Sequence, residues 1–173
     1  MQRVIAAAGV DIDWQVVNAG AGVMDEYGTP LPEHVLEAIS KTGIAIKGPI
    51  TTPVGSGFRS INVALRRYFD LFTNLRPVWS IKGTGARYDD VDIVIFRENT
   101  EGEYALGSRG VELPGMAVDF KVTTDPGTRR IARAAFDYAR RNGKTRVTVV
   151  TKANILKKTD GKFTAIDGYS AEY

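Results

Sequence analysis

With 173 residues, 43% of them hydrophobic and 25% charged, the chain has the composition of a globular protein rather than of a disordered tail. Zero cysteines exclude a disulfide framework, a thiolate zinc site and cysteine nucleophile chemistry, so a bound metal would be held by oxygen ligands or by the one histidine, His34. The net charge of +3 rests on 14 arginines and nine lysines scattered along the chain, without interleaved aromatic residues or a nucleic-acid motif, which favours a small anion over a nucleic acid as partner.

Val4 to Ala8 followed by Gly9 has the form of a helix end with its glycine stop. The apolar stretch from Met1 to Ala8 is too short for a secretory signal, which points to the cytoplasm, and no apolar run reaches the roughly 20 residues that span a bilayer. Trp14, Val16 and Val17 predict a short strand. Pro32 suits the first turn of a helix, Val35, Leu36 and Ile39 form its apolar stripe and Gly43 closes it, so residues 32–42 are expected to be helical, with His34 on the surface. Ile44 to Ile46 then predicts a buried strand. Over Thr51 to Arg59 the composition switches to Thr, Pro, Gly and Ser, a loop of the kind that carries function. In the helix that follows, Ile61, Leu65 and Phe69 recur every four residues, while Asn62 and Arg66 share a different face. Arg76 and Pro77 mark a crossing between two lobes, taken as residues 1–75 and 76–173. Val91 to Phe96 predicts a strand and Ala117 to Thr123 a weaker one. Asp125, Pro126 and Gly127 open a helix with Ile131, Ala135 and Tyr138 inward and Asn142-Gly143 as its stop, and Arg146 to Thr151 predicts the last strand. Alternating helices and strands make the class α/β.

The chemistry-bearing residues gather at the ends of these elements. The stretch from Lys47 through Arg66 places hydroxyls, an amide and guanidiniums around one loop-to-helix junction, where unpaired N–H groups and the helix dipole favour an anion near Ser60. Gly55-Ser56-Gly57 lacks the third glycine of a dinucleotide fingerprint and the Gly-Lys-Ser/Thr ending of a phosphate loop, so it is read as a substrate loop. Arg76, Arg97 and Tyr104 sit at or just past predicted element ends, where open α/β sheets bind ligands. Lys152 and Asn154 flank Ala153 and project to one side of an extended segment. Singly, Ser60 and Thr52 are better explained as helix-cap or turn residues and each arginine as a surface ion pair, and Lys152 and Asn154 fit ordinary loop residues; together they point to a polycarboxylate.

The runs Thr51 to Arg76, Phe96 to Tyr104 and Lys152-Ala-Asn-Ile-Leu-Lys-Lys-Thr-Asp-Gly161 resemble the isocitrate and isopropylmalate dehydrogenase family of β-decarboxylating dehydrogenases. The Ser60-x-Asn62 pair is similar to the isocitrate branch, since the isopropylmalate branch carries apolar residues there. The resemblance implies a three-layer α/β fold of the isocitrate/isopropylmalate dehydrogenase type, incomplete at both ends. A strand and a Gly-rich turn would precede Met1, and the metal-binding aspartates and adenine loop would follow Gly161. It further implies that Ser60, Asn62, Arg66, Arg76 and Arg97 bind the carboxylates of isocitrate, with Thr52 and Asn154 near substrate and nicotinamide and Lys47 at the substrate edge. Tyr104 and Lys152 are implied as the acid/base pair, and Lys152 and Asn154 as entering a partner subunit's site, hence a homodimer or larger assembly. The implied cofactors are NAD or NADP, left open because the residues that read the ribose 2′ position are not in these motifs, and Mg²⁺ or Mn²⁺ held by ligands outside this chain. Asp160 and Asp167 are expected to be solvated turn carboxylates, not metal ligands. Two classes of function follow. One is an isocitrate dehydrogenase, with homoisocitrate and isopropylmalate dehydrogenases as rivals, this segment being inactive alone. The other is a non-catalytic polycarboxylate-binding or regulatory subunit.

Overall fold

The computed structural model describes residues 1–50, 60–107 and 109–165, which divide into two compact units, Met1–Leu65 and Arg66–Tyr173. In the first unit α1 spans Gln2–Ala7, a 3-10 turn at Ala21–Val23 leads into α2 (Met24–Tyr27), and α3 spans Glu33–Thr42. α3 forms where the local signals are strongest. Pro32 precedes it with φ −62°, Val35 and Ala38 are buried, and Gly43 takes the left-handed conformation at φ 69°. The amide of Gly43 then donates to the Ile39 carbonyl at 2.8 Å and satisfies one of the last free acceptors. His34 lies exposed on α3 with its ring 5.1 Å from that of Tyr27.

Two expected strands of this unit do not form. Residues 10–19 and 44–50 form no regular element and have no ladder partner among the described residues, and Ile44, expected to be buried, is 81% exposed. A helix makes its hydrogen bonds within its own segment, whereas a strand borrows them from a neighbour, and among the described residues no strand pairs with either segment.

α4 spans Ile61–Tyr68, its first turn closed by the Ala64 amide on the Ser60 carbonyl at 3.0 Å, with Ile61 buried. The second unit is built on β1 (Thr73–Trp79) and β2 (Asp92–Glu98), antiparallel with Thr73 opposite Glu98 and Trp79 opposite Asp92. Pro77 is tolerated in β1 because the strand has only one described neighbour and needs no donor on its outer side. A hairpin follows, β3 (Val111–Leu113) and β4 (Met116–Val118), turned by Pro114 and Gly115 at φ 74°. The strand expected over Ala117 to Thr123 is therefore split: its start pairs in β4, and Val122 makes an isolated bridge to Gly102.

α5 spans Asp125–Arg141 and supplies the core of this unit. Its start is over-determined. The Thr124 hydroxyl accepts from the Gly127 amide at 3.1 Å, Pro126 stands in the first turn, and the Glu101 carboxylate accepts from the Thr124 amide at 3.0 Å and from its hydroxyl. Any side chain at Gly127 would run into the Glu101 carboxylate. Ile131 and Ala139 are buried, and Tyr138 packs its ring 5.3 Å from Phe96 of β2. Arg130 ties the helix to the sheet: it reaches Glu98 at 2.8 Å, Asp70 at 2.9 Å and the Thr100 hydroxyl at 2.5 Å, with its guanidinium 4.7 Å from the Phe72 ring centroid. Asn142 and Gly143 (φ 63°) end the helix. The expected strand at Arg146 to Thr151 does not form; this segment has no ladder partner among the described residues, and Val150 is 89% exposed. α6 (Thr159–Thr164) closes the described chain. No helix among the described residues is long and apolar enough to cross a membrane.

Candidate active site

Arg97 stands opposite Asn74 in the ladder, and Arg76 is two residues further along β1, so both arginines project from the sheet face that does not pack on α5. Arg76 donates through Nε to Asn74 Oδ1 at 2.9 Å, which steadies it beside Arg97. β2 ends at Glu98 and the chain turns back at Gly102, whose φ of 67° only glycine adopts freely. That reversal brings Tyr104 onto Arg97. The Arg97 guanidinium donates to the Tyr104 phenol oxygen at 3.1 Å and lies 5.1 Å from the ring centroid, with Arg66 at 6.0 Å from the same ring. A phenol oxygen that accepts from a guanidinium keeps its own O–H to donate elsewhere.

The main chain under Tyr104 is also held. Arg67 donates to the carbonyls of Tyr104 and Ala105, both at 2.5 Å. The sequence carries no local signal for this role, since the partners are 37 and 38 residues away.

Lys152 opens a tight turn in which its carbonyl accepts from the amides of Ile155 at 2.9 Å and Leu156 at 2.8 Å. Its own amide donates to Asp160 Oδ2 at 2.7 Å, and the other Asp160 oxygen pairs with Lys121 Nζ at 2.5 Å. Asp160 is thus not the solvated turn carboxylate expected from the sequence but a residue only 4% exposed. The Lys121 ammonium, and then the Lys152 amide, hold its carboxyl below the usual carboxylate range. Glu98 is lowered as well. Burial pushes it up, but the Thr100 hydroxyl and amide, Arg130 and the Glu101 amide outweigh that. Lys152 and Asn154 are exposed.

A cavity of about 330 Å³ opens here, lined among others by Arg97, Glu101, Glu103, Tyr104, Lys121, Thr151 and Asp160. The second unit therefore brings Arg66, Arg97 and Tyr104 into contact and places Arg76 on the same face as Arg97. The Lys152 turn adjoins the cavity through Thr151 and Asp160. Ser60 and Asn62 stand at the start of α4 in the first unit, where Asn62 Oδ1 is buried without a hydrogen-bond partner among the described residues. Lys47 is exposed and donates to the Gly48 carbonyl next to it. Thr52, Gly55-Ser56-Gly57 and Asp167 lie outside the described residues.

A hard divalent cation needs several oxygen ligands at once. The described residues contain no grouping of three His, Asp or Glu able to hold one, and both oxygens of Asp160 are already committed. These residues do not by themselves make a metal centre.

The family model described as "Isocitrate/isopropylmalate dehydrogenase" matches residues 1–172. The chain belongs to this family. Its fold is that of the isocitrate/isopropylmalate dehydrogenases: the crystal structure of isocitrate dehydrogenase from Methylococcus capsulatus superposes with a TM-score of 0.85 at 45% identity, covering 94% of this chain and 49% of that one. Among curated relatives, the probable alpha subunit of the mitochondrial NAD isocitrate dehydrogenase of Drosophila melanogaster is 41% identical over 168 residues, 94% of this chain and 43% of that protein. A regulatory subunit of the mitochondrial NAD isocitrate dehydrogenase of Dictyostelium discoideum is 44% identical over 165 residues, covering 94% and 44%. The isocitrate dehydrogenase (NADP) of Staphylococcus epidermidis is 43% identical over 177 residues, covering 88% and 42%. The chain thus spans less than half the length of the curated relatives it matches, and family members of both nucleotide types are among them.

Proposed function

We propose that this chain carries the substrate-gripping and proton-handling residues of an isocitrate dehydrogenase, which oxidises isocitrate with NAD or NADP and releases CO₂ to give 2-oxoglutarate. The observation that carries the reading is the Arg97–Tyr104 contact at 3.1 Å with Arg66 beside the same ring: cations for carboxylates and a proton donor, set together over a cavity. The Ser60-x-Asn62 pair favours isocitrate over isopropylmalate as substrate, with homoisocitrate the closer rival. In the reaction the C2 hydroxyl loses its proton and C2 gives its hydride to the oxidised nicotinamide. The C3–carboxylate bond of the resulting β-keto acid then breaks, and the electron pair left behind takes up a proton.

The residues divide this work by chemistry. Guanidiniums of Arg66, Arg76 and Arg97 present planar forks to carboxylates, and Ser60, Asn62 and Thr52 supply shorter hydrogen bonds. Lys152 takes or relays the hydroxyl proton, and Tyr104 returns one to the enol. Asn154 and Lys47 border substrate and nicotinamide. Mg²⁺ or Mn²⁺ would polarise the C2 oxygen, with ligands supplied from outside the described residues. Lys152 and Asn154 serve a neighbouring subunit's site, so the working form is a homodimer or larger assembly.

Absorbance at the reduced-nicotinamide band, with isocitrate, Mg²⁺ and either nucleotide, tests the reading. The intact protein is expected to turn over and this 173-residue segment alone is not; an intact protein inactive with isocitrate but active with isopropylmalate or homoisocitrate would overturn the substrate assignment. A second reading, a non-catalytic subunit that binds citrate-like anions, draws on the Dictyostelium relative named as regulatory. Calorimetry that finds isocitrate binding without turnover in the intact protein would favour it.

A further inference from the structure

The ammonium of Lys152 makes no hydrogen bond among the described residues, and it rides on a flexible four-carbon stem. Its direction is therefore set where the side chain leaves the backbone. That backbone is fixed at both of its polar groups: the carbonyl by the amides of Ile155 and Leu156, the amide by Asp160 at 2.7 Å. Asp160 is in turn tied back into the same turn, its own amide donating to the Leu156 carbonyl at 3.0 Å. Lys121 pairs with its second oxygen at 2.5 Å, so the carboxylate is buried fully engaged. A buried carboxylate with an ammonium on one oxygen and an amide on the other has one low-energy arrangement, because releasing either partner leaves charge or a polar group unpaired away from water.

We propose that Asp160 is a positioning residue for Lys152, its carboxylate pinning the main chain from which that lysine reaches the reacting atoms. The inference rests on the isocitrate dehydrogenase reading for its catalytic consequence, but not for the clamp itself. Asp160 touches no substrate in this role. It acts by removing the small backbone shifts that a loosely held turn would pass on to the lysine, and a displacement of about 1 Å at a reacting group costs on the order of 100-fold in rate.

The test uses the intact protein with Asp160→Ala and Asp160→Asn, and reads two quantities. The first is hydrogen exchange at the Lys152 amide, which needs no activity. It is expected to quicken about tenfold or more in Asp160→Ala and by less in Asp160→Asn, which keeps the shape and one acceptor. The second is steady-state kinetics with isocitrate. The kcat is expected to fall about 10- to 100-fold in Asp160→Ala with KM within about threefold of the parent, and to recover in large part in Asp160→Asn. Should Asp160→Ala not fold, the asparagine variant still reports both quantities. Unchanged exchange at Lys152 in a folded variant overturns the clamp, and quickened exchange with an unaltered kcat overturns its role in positioning. If the parent protein does not oxidise isocitrate yet exchange quickens in both variants, the clamp stands and the proposed activity falls.

Discussion

Ile93-Val94-Ile95-Phe96 and Val147-Thr148-Val149-Val150 carry nearly the same β-branched pattern, yet only the first is a strand. The first lies opposite Leu75 to Val78 in an antiparallel ladder and sets Phe96 against Tyr138 of α5; the second has no ladder partner among the described residues and leaves Val150 almost wholly exposed. Propensity marks both segments as fit for a pleated, half-buried surface, and the partner decides which one becomes it. Ile44 to Ile46 repeats the second case in the other unit. Stability in the second unit should therefore concentrate where β1, β2 and α5 meet and be nearly absent from the unpaired segment.

The largest effect should come from Arg130, the bond between helix and sheet. Arg130→Met removes the partner of Glu98 and of Asp70, the bond to Thr100 and the stacking on Phe72, and leaves the Glu98 carboxylate, only 11% exposed, without its cation. A loss of about 3 kcal/mol is expected in urea unfolding, the usual cost of removing one partner of a largely buried pair. A change below about 1 kcal/mol would mean that the contact between α5 and the sheet is not where this unit's stability resides. Gly127→Ala comes next. The added methyl meets the Glu101 carboxylate, which cannot withdraw without releasing Thr124, so about 2 kcal/mol is expected from the strain and lost capping together. Thr124→Ala removes the cap and the hydroxyl's bond to Glu101 while the amide's bond to Glu101 remains, and should cost about 1 kcal/mol by the same measurement.

The same contrast explains what could be read from the sequence. α3 and α5 were legible because their ends are written locally: Pro32 and Gly43 for one, Asp125, Pro126, Gly127, Asn142 and Gly143 for the other. The strand at Ile93 to Phe96 was legible too, but so, mistakenly, were those at Trp14 to Val17, Ile44 to Ile46 and Arg146 to Thr151, since one segment's pattern does not reveal whether another lies beside it. The candidate site divides in the same way. Arg97 and Tyr104 are seven residues apart across a strand end and a glycine turn, a spacing short enough to suggest their meeting. Arg67 on the Tyr104 carbonyl and Asp160 on the Lys152 amide are main-chain contacts closed through the tertiary fold, and side-chain chemistry alone does not announce them.

Acid should act on the paired region more than on the unpaired one. Glu98 and Asp160 both have folded-state carboxyls held below the ordinary values of 4.5 and 3.8, so the stability they confer is fully present above that range and is lost as pH falls through it towards the lower folded-state values. Unfolding measured at neutral pH and again near pH 3 should show this loss, and Glu98→Gln should reduce it. An equal acid loss in Glu98→Gln and the parent would assign the sensitivity to other carboxylates.

The smallest expected effect is also the most direct test of the comparison. Val94→Thr puts a hydroxyl on the strand that has a partner and should cost about 1 kcal/mol, because the half-buried site offers water only in part. Val150→Thr makes the same chemical change where the side chain already faces solvent, and should cost less than about 0.5 kcal/mol in this chain. Equal costs would mean that residues 147–150 find a ladder partner in solution. Repeating Val150→Thr in the intact protein sharpens the point: a cost that rises towards that of Val94→Thr would show the longer protein supplying the neighbour that the pattern of Val147 to Val150 is suited to meet.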